Sequence, residues 1–399
     1  MTALVESLNI IGFRGFSNLT VPTFGKVNLI TGKNNTGKSS LLEAIRILVT
    51  RGSLDTLQTI LNYREETNEF MDPERELLGS DFGPYRNLFT GFPDFSTGAA
   101  GFSINASGRI PSGMATLSIN AAWAIKQTDP NRGVIIGYES TTPDLFGDLN
   151  GMPALEITTG NRHRLFPLID ISSLARRSIG LHSFREDASE AIRCIYLDPF
   201  SSRTTGQLGI LWDAIALTNE QDEVIKALQL ISPDIQGVSM VGSGASRSRP
   251  RTAIVKSNNF ESPVPLRTFG DGVNRLFGII LSLCNAKNGV LLIDEFENGL
   301  HHSVQTSIWK TIFRLASELN VQVFSTTHSS DCIRAFQAAA TDSPQDGVLI
   351  RLTRKNDKIL PTIFQEKELE IATQHEIEVR WHGSKNPVSL TARQLLPVI

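Results

Sequence analysis

The sequence predicts a mixed α/β fold whose parallel-sheet core is begun near the N-terminus and completed near the C-terminus. Three observations predict it. First, the apolar stretch KVNLITG runs through a glycine-rich loop into KNNTGKSSLLEAIRILV, where Leu41, Leu42, Ile45 and Leu48 recur at helical spacing. Second, GVLLIDE, the stretch Ser303 to Glu318 and VQVFSTTH read as strand, amphipathic helix and strand. Third, FSINA, MATLSINAAWAI, GVIIGYE and ALEITTG are short alternating segments broken by Gly, Pro, Asn and Asp, the pattern of an antiparallel β-lobe.

The opening LVESLNIIGFRGF reads as a strand and turn, with a break at Val21, Pro22 and Gly25 before the apolar Val27, Leu29 and Ile30 of a buried strand. Residues 50–100 are mixed, with a charged stretch NYREETNEF and the Gly/Pro/Phe-rich LFTGFPDFSTGAAG. Residues 207–231 turn helical, and Thr218-Asn219-Glu220-Gln221 fits a capping box ahead of VIKALQLI, closed by Ser232-Pro233. A polar loop, GSGASRSRPR, follows. The expected division is a discontinuous core from 1–60 and 255–365, an inserted β-rich lobe at 61–205, a helical segment with an Arg-containing loop at 206–254, and a tail at 366–399. No repeat of 20 to 50 residues and no heptad run is present.

Composition removes several classes of function. Hydrophobic residues make up 40% of the 399, enough for a large core, and charged residues 20%. Lys+Arg 38 against Asp+Glu 41 leaves a net charge of -3, which excludes a globally basic nucleic-acid coat. Cys194, Cys284 and Cys332 are odd in number and lie outside any C-x-x-C pair, which speaks against a disulfide framework or a thiolate zinc site and for a reducing, cytoplasmic setting. MTALVESLNIIGF lacks a basic leader, and the apolar run Leu276 to Cys284 is interrupted by Gly278 and Ser282, so neither a signal peptide nor a membrane span is expected.

Gly32-Lys33-Asn34-Asn35-Thr36-Gly37-Lys38-Ser39 matches G-x-x-x-x-G-K-[ST]. In such a loop the glycines let backbone N–H groups curl around phosphates, the lysine reaches the β and γ oxygens, and the serine hydroxyl ligates Mg²⁺. Ser40 continues into the helix, whose N-terminal partial charge favours the same anion. Val290 to Glu295 is an apolar strand ending in paired carboxylates: Asp294 to hold Mg²⁺, Glu295 to activate the attacking water. Together these imply MgATP hydrolysis. Lys38 and Asp294 are 256 residues apart yet serve one site, so most of the length is lobes of a single head.

Thr268, Gly270, Asp271 and Gly272 precede the apolar helix VNRLFGIILSLCNA and make a second anion site, which one nucleotide in one chain does not need; closing on the γ-phosphate held by another subunit is its simplest use. His328 ends the next strand, where it can sense or stabilise the γ-phosphate.

The order GKNNTGKS, PLRTFGDGVNRL, LLIDEFENGLHHSVQ and FSTTHSSDCI resembles an ABC-type P-loop ATPase of the RecF, SMC and OLD group. Within it, the chain resembles the small prokaryotic AAA family ATPases of the AAA_15 and AAA_21 types, nearly end to end. The resemblance implies an ABC-ATPase-like head with an antiparallel β-lobe and a helical lobe, and an ATP-sandwiched homodimer in which Thr268, Gly270 and Gly272 act in trans. It also implies Glu295 as catalytic carboxylate, His328 as switch histidine, and residues Glu297 to His301 as the D-loop. The signature is not that of the transporters. Gln58, Gln127 and Gln207 compete for the Q-loop, and Phe13, Arg14 and Phe16 lie where such families place an adenine contact.

The relatives move coiled coils, membrane domains or a TOPRIM nuclease. This chain has no coiled coil or membrane span, no D-x-D pair and no convincing nuclease set; His301, His302, Glu366, Glu368 and Glu370 read as solvated. The resemblance therefore implies a motor for a separate effector, a nuclease or toxin, as in bacteriophage-defence modules, with residues 60–255 facing the partner. The competing reading is RecF-like DNA handling through Arg247, Arg249, Arg251 and Lys256, or Arg162, His163 and Arg164; a nucleotide-dependent clamp of negligible turnover sits badly with an intact Glu295.

Overall fold

The structure, a computed structural model, describes residues 3–66, 83–93, 100–129, 135–141, 151–168, 192–199, 205–242, 251–342 and 346–364. Arg247, Arg249, the tail 366–399 and the side chain of Gln207 lie outside the described residues. The chain packs as two units, and the expected core segment 1–60 is shared between them.

The first unit comprises the described residues of Met1–Phe24, Ser39–Cys194 and Arg354–Leu360. Its sheet has seven strands: β1 (Ser7–Phe13), β2 (Phe16–Val21), β4 (Gly101–Ser107), β5 (Thr116–Thr128), β6 (Ile135–Thr141), β7 (Met152–Thr159) and β8 (Arg162–Pro167). The order is β2-β1-β4-β5-β7-β8, with β6 also on β5, and the pairings are antiparallel. The β-lobe expected from alternation is therefore present, and it takes in the opening hairpin as well. Leu8 and Ile10 are buried with Phe13, and this one-sided apolar pattern suits an antiparallel sheet better than a parallel core buried on both faces. Helix α1 (Lys38–Val49) enters this unit from Ser39 and is buried at 41–45 and 47–49; α2 (Leu54–Tyr63) follows, its N-terminus capped by Ser53 Oγ accepting from the Thr56 N–H.

The second unit comprises the described residues of Gly25–Lys38, Ile195–Thr353 and the stretch from Pro361. Its main sheet holds β3 (Val27–Gly32), β9 (Cys194–Leu197), β13 (Val290–Ile293), β14 (Gln322–Thr327), β15 (Gly347–Lys355) and β16 (Lys358–Phe364) in the order β16-β15-β3-β14-β13-β9. The pairs β15–β3, β3–β14 and β14–β13 are parallel. β13 and β14 are wholly buried, and so is β3 up to Gly32. Asn28, in the middle of β3, is tolerated there because it bonds the Gly25 and Val323 carbonyls and accepts from the Gly25 N–H. A second sheet orders β10 (Ile235–Gly242), β11 (Arg251–Ser257) and β12 (Val264–Pro265).

Five helices complete the unit: α3 (Thr205–Asp213), α4 (Asn219–Gln229), α5 (Asp271–Asn285), α6 (His302–Glu318) and α7 (Ser330–Ala340). α5 is buried along its whole length from Val273 to Asn285, its apolar residues lying on every side and Asn274, Arg275, Ser282 and Asn285 buried among them. Trp309 of α6 stacks on Phe296 at 4.0 Å and meets the edge of Phe336 of α7 at 5.0 Å. The capping box of α4 forms differently from the expectation. Thr218 is the N-cap residue, but its hydroxyl donates backwards to the Ile215 carbonyl, and Gln221 accepts from the Leu217 N–H. The left-handed Leu217 (φ 65) turns the preceding chain so that these local bonds replace the reciprocal pair.

Candidate functional site

The parallel registers bring the motif residues to one edge of the sheet. Thr31 pairs with Thr327, and Ile293 with Ser325, so the phosphate loop leaves β3 beside the point where His328 leaves β14, and Asp294 leaves β13 on the other side of β14. This is the carboxyl edge of an open α/β sheet, where ligands of such folds bind.

In the loop, Lys38 is buried, and its Nζ donates to the carbonyls of Gly32 (3.0 Å) and Lys33 (2.9 Å). Thr36 Oγ1 donates to the Lys33 carbonyl at 2.8 Å, tightening the same turn. Asn34 and Asn35 are exposed, Asn35 in the left-handed region (φ 61). Ser39 is half-buried; Ser40 is buried and its Oγ accepts from Arg64 Nη2 at 3.4 Å. Glu43, one turn along α1, is buried between Arg14 Nε (2.7 Å) and Arg64 Nε (2.6 Å), and Arg14 also pairs with Glu66 at 2.8 Å. Burial pushes the Glu43 carboxyl above its ordinary range against the pull of both arginines.

Asp294 is 5% exposed. Its Oδ1 accepts from Thr326 Oγ1, and its Oδ2 from the Tyr196 hydroxyl at 3.2 Å. Glu295 stands in the left-handed region with φ 49, a conformation a glutamate adopts only when its surroundings hold it. Its N–H donates to Thr326 Oγ1 at 2.9 Å, and its carbonyl accepts from Asn298 N and from Arg275 Nη2, both at 3.1 Å. Glu297 Oε1 accepts from the His328 N–H at 2.7 Å, tying the D-loop segment to the end of β14. Burial first, and then the Lys38 charge, lower the His328 pKa; Glu297, Glu295 and Asp294 oppose this. The net effect favours a neutral imidazole near pH 7.

Thr268 and Gly270 are exposed at the start of α5, where Gly270 is the N-cap residue and no side chain caps the helix. Gly270 has φ 94, which only glycine takes readily. At Gly272 a Cβ would lie 2.8 Å from the Gly299 carbonyl, so the first turn of α5 approaches the D-loop segment more closely than a side chain permits. Asp271 is exposed.

Several sequence expectations change. Phe13 and Phe16 are fully buried, with Phe13 packed on Phe102 at 5.1 Å, and Arg14 is committed to Glu43 and Glu66; hydrophobic packing and ion pairing remove all three as free adenine contacts. Gln127 is exposed on β5 and donates to Glu139. Gln58 bonds Tyr85. Arg251 pairs with Asp213 at 2.5 Å and donates to the Met240 carbonyl, and Arg164 donates to the Arg51 carbonyl, so both are held within the protein. His301 is exposed and caps α6, its Nδ1 accepting from the Ser303 N–H. Sequence reasoning missed Thr326, Tyr196 and Arg275. Thr326 lay inside the quoted FSTTHSS without a role, and no spacing rule marks the other two, which come from a different strand and helix.

A glycine-rich loop between a buried strand and a helix, with a carboxylate-ended strand on the far side of β14 in the same run of parallel strands, defines a P-loop ATPase. The chain belongs to the family described as "AAA domain, putative AbiEii toxin, Type IV TA system", which matches residues 102–331, and residues 4–80 match the "AAA ATPase domain" family. It is 23% identical over 388 residues, 94% of this chain and 99% of the other, to an ATP/GTP phosphatase of Helicobacter pylori. It is also 50% identical over 44 residues, 11% of this chain and 12% of the other, to the DNA replication and repair protein RecF of Idiomarina loihiensis. Among solved structures the fold is similar to an SMC head bound to the C-winged helix domain of ScpA, with TM-score 0.51 and 12% identity over 93% of this chain and 99% of that one. The protein is thus an AAA-family ATPase that hydrolyses ATP. Among the described residues no helix is long and apolar enough to cross a membrane.

Asp294 fits a hard divalent cation in its chemistry: its carboxylate oxygens are held in one orientation by Thr326 and Tyr196.

Proposed function

We propose that this ATPase is a nucleotide-gated switch: two copies close around ATP and signal to a separately encoded effector protein, a nuclease or toxin, in a prokaryotic defence system. The observation that carries the reading is the N-terminus of α5, capped by no side chain, with Thr268, Gly270 and Asp271 exposed and Gly272 half-buried. Its backbone donors suit an anion, and the chain's own phosphate loop already provides one anion cradle. The family description, which names a toxin and a toxin–antitoxin system, supports the effector part.

In this reading the backbone N–H groups of Asn34 to Ser40 and the Lys38 ammonium bind the phosphates of ATP. Ser39 and Asp294 would hold Mg²⁺, which when bound neutralises phosphate charge. Glu295 takes a proton from the water that attacks the γ-phosphorus in line, and ADP departs with the bonding electron pair. His328, neutral at pH 7, hydrogen-bonds the γ-phosphate, and the partner's α5 N-terminus stabilises the charge on its far side. ATP closes the pair; hydrolysis reopens it and changes which docking surface is exposed.

The test is Glu295→Gln with ATP, followed by light scattering. A doubling of mass with ATP but not ADP, absent in Lys38→Ala, is expected, and the product of the adjacent reading frame should co-purify in only one of the two nucleotide states. A Glu295→Gln protein that binds ATP and keeps the mass of a single chain refutes the sandwich.

A further inference from the structure

Arg275 sits one turn into α5, beyond the exposed residues that begin the helix, and is 1% exposed. Its guanidinium donates to three carbonyls: Nη1 to Asp198 at 2.7 Å, and Nη2 to Asp294 at 2.8 Å and Glu295 at 3.1 Å. Two of these belong to the residues that would hold the metal and activate the water. A buried arginine ordinarily pairs with carboxylates; this one is spent on main chain at the one left-handed glutamate in the site.

We infer that Arg275 is a positioning residue for ATP hydrolysis: it locks the left-handed Asp294–Glu295 turn to α5, and so links the N-terminus of that helix to the placement of the catalytic carboxylate. The inference rests on Glu295 being that carboxylate. The guanidinium is a planar fork that spans adjacent carbonyls on two segments, whereas an ammonium on a flexible stem reaches fewer of them in fixed geometry. The close approach of Gly272 to the Gly299 carbonyl gives α5 a second, independent hold on the segment after Glu295. Phe296, immediately after Glu295, is fixed by its stack on Trp309, so the turn is pinned on both flanks and Arg275 sets its backbone orientation.

The phosphate loop does not depend on this lock, because Lys38 and Thr36 take their bonds from the loop's own carbonyls. Loss of the lock therefore lowers kcat and leaves nucleotide affinity alone.

The experiment compares wild type, Arg275→Lys, Arg275→Ala and Glu295→Gln by steady-state ATP hydrolysis, by the affinity for a fluorescent ATP analogue, and by thermal denaturation. Arg275→Lys, which keeps the charge, is expected to lose about 100-fold in kcat, the order that an ångström-scale misplacement of a catalytic group costs, with KM and analogue affinity within about twofold of wild type. Added guanidinium at millimolar concentration is expected to restore part of the turnover of Arg275→Ala; if that variant does not fold, Arg275→Lys carries the test alone. Wild-type kcat in Arg275→Lys beside an inactive Glu295→Gln overturns the inference and leaves the role of Glu295 standing. Loss of analogue affinity or of folding in Arg275→Lys, in proportion to lost turnover, makes Arg275 purely structural and also overturns it. Wild-type turnover in Glu295→Gln overturns both.

Discussion

Thr326→Val isolates the bond that joins the two acids of the site. The Thr326 hydroxyl donates to Asp294 Oδ1 and accepts from the Glu295 N–H at 2.9 Å, and the residue has no exposed surface. Valine matches threonine in shape, so packing is preserved and only the hydroxyl is removed. A hydrogen bond to a charged group contributes about 1.5–3 kcal/mol, and a buried N–H left without an acceptor costs about 1–3 kcal/mol. The substitution should therefore destabilise the protein by about 3 kcal/mol, which for a unit of this size lowers the thermal midpoint by roughly 6–12 °C. Thr326→Ser keeps the hydroxyl and loses one methyl, for about 1 kcal/mol. The assay is thermal and urea denaturation of the three proteins without nucleotide. A valine variant within 0.5 kcal/mol of wild type, or one more stable than the serine variant, would refute the claim that the hydroxyl joins the acids.

Three further outcomes follow from buried groups elsewhere. Glu43→Gln removes the charge between Arg14 and Arg64 while Glu66 still pairs Arg14, so the loss should fall below the roughly 3–5 kcal/mol of a buried charge left alone; urea titration should show it, and Glu43→Asp should recover only part because its shorter stem cannot meet both arginines. Burial pushes the thiols of Cys284 and Cys332 up to about 12, so neither should react with iodoacetamide at pH 8 in the native protein, and both should react on unfolding, as read by mass spectrometry. Because an unfolded thiol ionises near its ordinary value of about 8.5 while the folded one resists to about 12, these groups also predict stability that falls as pH rises through that interval.

The motif residues were legible because their chemistry is local. A phosphate loop needs its glycines and lysine within eight consecutive positions, and an acid-ended apolar strand announces itself in six. The role proposed for Glu295 rests on its place after Asp294, but its left-handed backbone could not be read there, since it is held by Thr326, Asn298 and Arg275 together. The buried state of Phe13 and Phe16 was likewise hidden: an aromatic beside a turn reads alike whether it stacks on a base or, as here, packs on Phe102.

The sequence by itself determined the class of fold, the order of the nucleotide motifs and the ATPase chemistry, because each rests on spacing within a strand, loop or helix. Only the tertiary structure decided where the opening hairpin belongs, what holds Asp294 and Glu295, and which arginines are committed inward. Those are long-range pairings, β1 with β4, Thr326 with Asp294 and Arg275 with three carbonyls, and they arise from sheet register and buried hydrogen-bond satisfaction. Residues far apart along the chain acquire those partners only when the sheets close.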